Sequence, residues 1–193
     1  MKKFVFFFIM FLLTYGSVNA DFWQGGREDN ARVSVFFTQS VRNSDEYTDI
    51  FTNAMNNWNN ISPNVSLRRV NSDRNVGTFV FVAQNNELAD VIGLTRLYTR
   101  DQNGIAGVYN IDGAKDMTWP RTDVYIFENV MNDVFRMNRM EKISNATHEF
   151  GHSLKLDHPT SLWFWQQSVM KSGVQNIGPQ DYDQDELRTK WGQ

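Results

Sequence analysis

The chain has 193 residues, a formal net charge of −3 and no cysteine. This length fits one domain, and a chain of this size buries enough apolar surface to fold without disulfides. A slightly negative protein does not attract a polyanion, so we expect no nucleic-acid partner.

The beginning of the chain has the pattern of a secretory signal peptide. Two lysines follow Met1, an apolar run extends from Phe4 to Tyr15, and small residues precede Asp21 as in a signal-peptidase site. The run is shorter than the ~20 residues of a membrane-spanning helix, so we expect no membrane association after cleavage. We therefore predict a signal peptide at 1–20, one domain at 21–193, and a secreted, extracellular monomer.

The first half of the mature chain combines apolar strand patterns with one amphipathic helix. Residues 21–30 are polar and contain glycine, which predicts a mobile or loosely docked arm. Ser44 is a candidate N-cap, and apolar residues recur at every third or fourth position from there to Ile61, which predicts a helix with one buried face. Strands are predicted at 31–37, 65–70, 77–83 and 91–98, the last of them at a sheet edge.

A long polar excursion follows and ends at Pro120. Asp, Asn and Gly cluster at 101–104 and again at 110–113. Ordinary turn chemistry explains both clusters, because neither matches a complete calcium loop. Calcium binding there stays open as an alternative. A last strand is predicted at 123–127.

The residues that carry chemistry lie at 147–159, T-H-E-F-G-H-S-L-K-L-D-H-P, which contains all 3 histidines of the chain. His148 and His152 are one helical turn apart and project from one face of a helix, and His158 follows after a short link. Three imidazoles that leave one position open are the ligands of a catalytic zinc, whereas structural zinc sites are closed by four protein ligands. The stretch therefore predicts one zinc ion on His148, His152 and His158.

The helix that carries these ligands also has a predicted buried face. Glu149 occupies the position at which H-E-x-x-H zinc hydrolases have their general base. Apolar and small residues recur beside the histidines at spacings of three and four, which predicts a face that packs under the sheet. These residues are Met140, Ile143, Thr147, Phe150 and Leu154.

This stretch resembles the metzincin clan of zinc endopeptidases and, within it, the matrixins and their small bacterial relatives. His148, Glu149, His152 and His158 fall on the family's motif positions, and the sequence ending at Met170 is similar to its methionine-bearing turn. The resemblance implies an α+β, zincin-like fold with a twisted, mixed, mostly parallel five-stranded sheet, an active-site helix and a C-terminal helix. It also implies that Met170 forms an apolar floor beneath the metal.

The function implied by the resemblance is that of a secreted zinc-dependent endopeptidase, a hydrolase acting on peptide bonds. A zinc-bound water would attack the peptide bond with Glu149 as general base. A protein or peptide substrate would lie extended along the sheet edge near Leu94, with residues 171–178 as a wall of the cleft. Because no cysteine and no further histidine exist, one zinc ion and no cysteine switch are expected.

One residue departs from the family pattern, and two alternatives stay open. Lys155 stands where the family has a glycine in a left-handed conformation, which we interpret as lowered stability or altered turn geometry, with the side chain in water.

In one alternative, Asp181 or Glu186 replaces His158 as the third ligand. In the other, the chain is a secreted zinc-holding binding or toxin module without turnover. The aromatic residues at 163–165 are interpreted as packing behind the third ligand.

Overall fold

A six-stranded mixed sheet forms the centre of the part that the computed structural model describes, which is residues 21–88, 90–101, 104–108, 111–163 and 165–192. The predicted α+β class is therefore confirmed. The predicted number of five strands is wrong, because residues of the polar excursion form an additional strand. The strands are β1 Arg32–Phe37, β2 Ser66–Val70, β3 Thr78–Ala83, β4 Gly93–Asp101, β5 Gly104–Gly107 and β6 Arg121–Phe127.

Helices precede and follow the strands of this sheet. None of those described is long and apolar enough to cross a membrane. The predicted signal peptide at 1–20 lies outside the described residues. The helices are α1 Gln39–Arg42, α2 Asp45–Trp58, α3 Ile111–Ala114, a π-helix at Val130–Val134, α4 Arg139–Ser153 and α5 Asp181–Trp191.

The sheet has the strand order β2-β1-β3-β6-β4-β5. The first four of these strands are parallel to their neighbours, whereas β4 runs antiparallel to both β6 and β5. Strand β6 pairs with β4 from Gly93 to Tyr98, but β5 pairs with it only from Tyr98 to Asp101. The predicted edge strand is thus an edge only in its first part, where residues 93–95 have no strand partner on the second side within the described chain.

Helices α2 and α4 supply the apolar faces that cover the sheet. The predicted stripe of α2 is buried as far as Trp58, where the helix ends, whereas Ile61 lies beyond the helix and is half-buried. The side chain of Ser44 accepts a hydrogen bond from the Tyr47 N–H, as expected for an N-cap. On α4 the predicted stripe is buried from Ile143 to Leu154. Met140 is the exception, with 53% of its surface exposed, because it lies in the first turn before the helix reaches the core.

The start of α4 is fixed by its own sequence. The side-chain oxygen of Asn138 accepts hydrogen bonds from the N–H groups of Met140 (2.9 Å) and Glu141 (3.1 Å). The carboxylate of Glu141 in turn accepts the Asn138 N–H at 2.7 Å. This capping box satisfies N–H donors that the first turn of a helix leaves free, and it fixes the residue at which α4 begins.

The segment at 21–30 is firmly docked, and the prediction of a mobile or loosely docked arm is wrong. Asp21 and Trp23 are 7% and 8% exposed. The Trp23 N–H donates to the Lys155 carbonyl at 2.8 Å, and the Asp157 N–H donates to the Asp21 carbonyl at 2.9 Å. The polar composition suggested a solvated segment, but residues distant in the sequence satisfy its polar groups. The segment therefore lies against the loop that follows α4.

Candidate metal centre

The structure brings all three histidines together. His148 and His152 project from α4, and the loop after α4 returns His158 to them. Its Nε2 atom lies 3.1 Å from Nε2 of His148 and 3.2 Å from Nε2 of His152. Zinc–nitrogen bonds of about 2.0–2.1 Å in a tetrahedral arrangement would place two nitrogens roughly 3.3 Å apart. The spacing of the imidazole nitrogens therefore fits one small cation.

Backbone carbonyls orient two of the imidazole rings. Nδ1 of His148 lies 2.8 Å from the Val169 carbonyl, and Nδ1 of His152 lies 2.9 Å from the Leu156 carbonyl. A neutral imidazole that donates from Nδ1 has its lone pair on Nε2. The lone pairs of these rings consequently face His158, an arrangement that is repulsive without a cation and favourable with one.

The environment keeps the rings neutral, as metal ligation requires. Burial lowers the pKa of His148 to about 4 and holds the pKa of His152 well below its usual range. The pKa of His158 is lowered as well, chiefly by burial. The three nitrogens are therefore unprotonated near neutral pH and can bind a metal without first losing a proton.

Glu149 lies in the same cavity as the histidines and is 5% exposed. Burial raises the pKa of this carboxyl group to about 8, although a hydrogen bond from Thr95 lowers it in part. The Thr95 hydroxyl lies 2.8 Å from the Oε2 atom. A Cβ atom added to Gly93 would stand 2.7 Å from Oε1, so the carboxyl group occupies space that only glycine leaves open. A carboxyl group with this pKa can hold or release a proton near neutral pH.

Thr95 and Gly93 were missed in the sequence analysis as parts of the site. The signal was the alternation of β4, which places the Thr95 side chain on the face opposite Leu94. Sequence alone did not show which element packs against that face.

The methionine-bearing turn supports the His148 side of the centre. Asp183 on α5 accepts the Val169 N–H at 2.9 Å, and the Val169 carbonyl accepts from His148. Met170 is 2% exposed and packs behind α4, where a Cβ atom on Gly151 would lie 2.2 Å from its sulfur. Its predicted role as a floor beneath the metal stays a prediction.

An aromatic pair supports the His152 side. The Trp23 ring is parallel to the His152 ring, with centroids 5.4 Å apart and planes at 9°. Trp119 packs edge-on against Trp23 at a centroid distance of 5.3 Å. Sequence analysis missed this contact, although a tryptophan within an otherwise polar segment was an available signal.

Lys155 adopts the left-handed conformation that its position predicts, with a φ of 76°. The prediction that its side chain reaches water is wrong, because the residue is 0% exposed. Its Nζ atom donates to the carbonyls of Lys115 (2.9 Å) and Met117 (2.6 Å). The loop after α4 lies on the 115–117 segment, and the side chain has no path to solvent.

A cleft of about 420 Å³ adjoins the histidines. The unpaired half of β4 lines it on one side, and Ser172, Gly173 and Gln175 line it within the predicted wall at 171–178. Trp163 and Trp165 are 67% and 61% exposed, so the prediction that this aromatic cluster packs behind the third ligand is wrong for them. Residue 164 lies outside the described part of the chain.

The alternative ligand set is not assembled. Among the described residues, the group able to hold a metal consists of the three histidines and contains neither Asp181 nor Glu186. The clusters at 101–104 and 110–113, for which calcium was the alternative, include residues 102–103 and 110, which lie outside the described part of the chain.

Comparison with known proteins gives likenesses in structure only. No protein-family model and no curated protein matches this sequence. Among 90 matching chains of solved structures is one from the GM1-bound form of the ECX AB5 holotoxin. It is 17% identical with a TM-score of 0.48, and the match covers 82% of this chain and 79% of that chain. At this distance nothing that the holotoxin binds or assembles with is transferred to this chain.

The predicted function finds no support in these comparisons. The sequence predicted a secreted zinc-dependent endopeptidase that hydrolyses peptide bonds with Glu149 as general base. The description of the protein found names a holotoxin and no peptidase. The endopeptidase is therefore withdrawn, and the site is described as a candidate metal centre on three histidines.

Proposed function

We propose that this chain is a secreted zinc-binding module that holds one ion on His148, His152 and His158 and takes an extended peptide in the adjoining cleft. The observation that carries the proposal is the convergence of three neutral imidazoles, with Nε2 separations of 3.1 and 3.2 Å to His158. Imidazole ligands suit zinc, and an incomplete protein ligand set leaves one position for another group.

The protein's contribution to metal binding is rigidity. α4 fixes the spacing of His148 and His152, and the carbonyls of Val169 and Leu156 fix the planes of their rings. Little conformational entropy is then lost when the ion binds. When bound, zinc would supply a Lewis acid that polarises a ligand oxygen.

The unpaired half of β4 supports the peptide part of the proposal. Residues 93–95 have backbone groups without a strand partner on the cleft side in the described chain, and an extended peptide can hydrogen-bond to such an edge. Leu94, at 41% exposure, offers an apolar contact for a ligand side chain. The cleft beside it has room for further side chains.

We also propose that the metal centre is built as in the metzincin clan, on a zincin-like arrangement of sheet and helix. Support comes from the motif residues His148, Glu149, His152 and His158, from the turn that places Met170 behind α4, and from the C-terminal helix α5.

An enzymatic use of the same centre is a second candidate, and one observation favours it. Glu149 is buried beside the ligands with its pKa raised to about 8, so the group could exchange a proton with a bound ligand. Zinc storage alone does not require such a group. Both candidates take the same extended peptide in the cleft, and they differ in whether that peptide is chemically altered.

Zinc content and affinity test the main proposal. Purified protein is expected to bind one zinc ion per chain, measured by elemental analysis and by competition with a chromogenic chelator. His158→Ala should weaken zinc binding by at least two orders of magnitude, because it removes one of three ligands. Glu186→Gln and Asp181→Asn are matched controls with unchanged affinity. Wild-type protein without zinc, or His158→Ala with full affinity, would overturn the proposal.

A peptide library separates the two candidates. The zinc-loaded wild type and Glu149→Gln are each incubated with the library, and bound and free peptides are identified by mass spectrometry. A binding module returns the same peptides unaltered from both proteins. An enzyme alters peptides only with the wild type, and a chelator abolishes the change. Absence of peptide binding by both proteins would reject the peptide ligand.

A further inference from the structure

We propose that Lys155 is a positioning residue of the metal centre, which fastens the end of α4 to the 114–119 segment and so holds the Trp23 ring against His152. The inference rests on the metal site proposed above. It assigns a role to a residue that the sequence analysis noted only because it replaces the glycine of the family motif.

Lys155 combines a strained backbone conformation with a buried, hydrogen-bonded side chain. A φ of 76° is a conformation that residues with a Cβ atom rarely adopt, and glycine would adopt it without strain. The lysine stem is nevertheless wholly buried. Its amino group makes two hydrogen bonds to the carbonyls of Lys115 and Met117 and lies 3.3 Å from the centroid of the Trp119 ring. These contacts join the loop after α4 to the 114–119 segment.

The contacts continue from Lys155 to a metal ligand. Trp119 is 0% exposed, and its Nε1–H donates to the Ala114 carbonyl at 2.8 Å, so its ring cannot shift freely. Trp23 lies between Trp119 and His152, edge-on to the first and parallel to the second. The Lys155 carbonyl also accepts the Trp23 N–H at 2.8 Å. Lys155 therefore holds Trp23 both through its own backbone and through the Trp119 ring.

This arrangement acts on one ligand. The backbone N–H of Lys155 donates to the His152 carbonyl at 3.0 Å, and the next carbonyl, that of Leu156, orients the His152 ring. His148 is oriented from the opposite side by Val169. Loss of the Lys155 side chain should therefore loosen the His152 ring and leave the His148 ring in place.

Two variants test the inference. Lys155→Met keeps most of the stem but removes the donors, and Lys155→Gly removes the side chain together with the backbone strain. Partners that orient a ligand typically change metal affinity by about 10–100-fold, so both variants should bind zinc about tenfold more weakly or worse. The cobalt-substituted protein should show a changed d–d absorption spectrum, because the geometry of one nitrogen ligand changes.

Lys142→Met is the matched control. Lys142 is a 7% exposed lysine on α4, and its Nζ atom binds Glu46 at 2.7 Å, which is not part of the contacts around Trp23 and Trp119. This variant should lose stability without a change in zinc affinity or in the cobalt spectrum. Trp23→Leu should weaken zinc binding as Lys155→Met does, and the double variant should be little worse than either single variant.

Zinc binding by the wild type and by Lys155→Gly distinguishes failure of the metal site from failure of the role of Lys155. If the wild type binds no zinc, the proposed function fails and the role of Lys155 fails with it. If the wild type binds zinc and Lys155→Gly, folded by circular dichroism, binds it equally well with an unchanged cobalt spectrum, only the inference about Lys155 is overturned. Lys155→Gly carries the test even if Lys155→Met does not fold.

Discussion

His148 and His152 belong to one helix and have the same task, yet their rings are held by different means. On the His148 side, a polar chain runs from Asp183 through Val169 to the ring. On the His152 side, the Leu156 carbonyl shares the task with the stacked Trp23 ring. Hydrogen bonds fix direction sharply, whereas stacking fixes the plane of a ring and excludes water. One side of the centre thus depends on a buried carboxylate and the other on aromatic packing.

The largest expected effect comes from breaking the polar side with Asp183→Ala. Asp183 is 1% exposed and accepts hydrogen bonds from Ser168, Val169 and Gln180. Because buried donors would lose a charged acceptor, the free energy of unfolding should fall by about 4 kcal/mol in urea denaturation, with weaker zinc binding.

Asp185→Ala is the control, since Asp185 is exposed and pairs only with Arg188 in the described chain. It should change the unfolding free energy by less than about 0.5 kcal/mol. A loss of similar size in both variants would show that the polar chain contributes nothing specific.

Breaking the aromatic side with Trp23→Ala should cost about 3 kcal/mol, as expected for truncation of a buried aromatic residue. Zinc affinity should fall as well, since the His152 ring loses its stacking partner. Trp23→Phe should recover most of the affinity because a ring remains. If Trp23→Ala lowered stability and left zinc affinity unchanged, the stack would be packing alone.

Glu149 lies between the two sides on the same helix and gives a pH dependence to the metal-free protein. Its pKa of about 8 in the folded state exceeds the usual value of 4.5, so the folded state retains a proton that the unfolded state releases. The contribution of this carboxyl group to the unfolding free energy is fully present below pH 4.5 and is lost as the pH rises to about 8. With EDTA present, Glu149→Gln should therefore match the wild type at low pH and exceed its unfolding free energy by on the order of 2 kcal/mol at pH 6.

The smallest expected effect is that of Thr95→Val. The variant removes the hydroxyl that donates to Glu149 and should cost about 1 kcal/mol in unfolding free energy. Because this hydrogen bond lowers the pKa of Glu149, its loss should extend the pH-dependent decline of the metal-free protein to higher pH. Thr99→Val, on the same strand and away from the carboxyl group, should leave that decline where it is. An unmoved decline in Thr95→Val would remove Thr95 from the site.

The ligand set was predictable because local chemistry determines it. The spacing of His148, His152 and His158 needs only helix geometry and a short return loop, and the amphipathic pattern of α2 needs only the period of a helix. The position of Trp23 depends on contacts between residues more than 100 positions apart in the sequence, which no local pattern contains. Lys155 was misjudged for the same reason, because a long charged side chain is usually solvated unless distant carbonyls receive it.

The half-paired strand β4 also bears on how the protein behaves at high concentration. An exposed strand can join the sheet of a second molecule, and natural proteins limit this by keeping such edges short or by placing charge on them. Here the open stretch is limited to 93–95, and the charged Arg96 follows it. The same brevity that leaves room for one ligand strand thus disfavours the indefinite stacking of sheets that leads to fibrils.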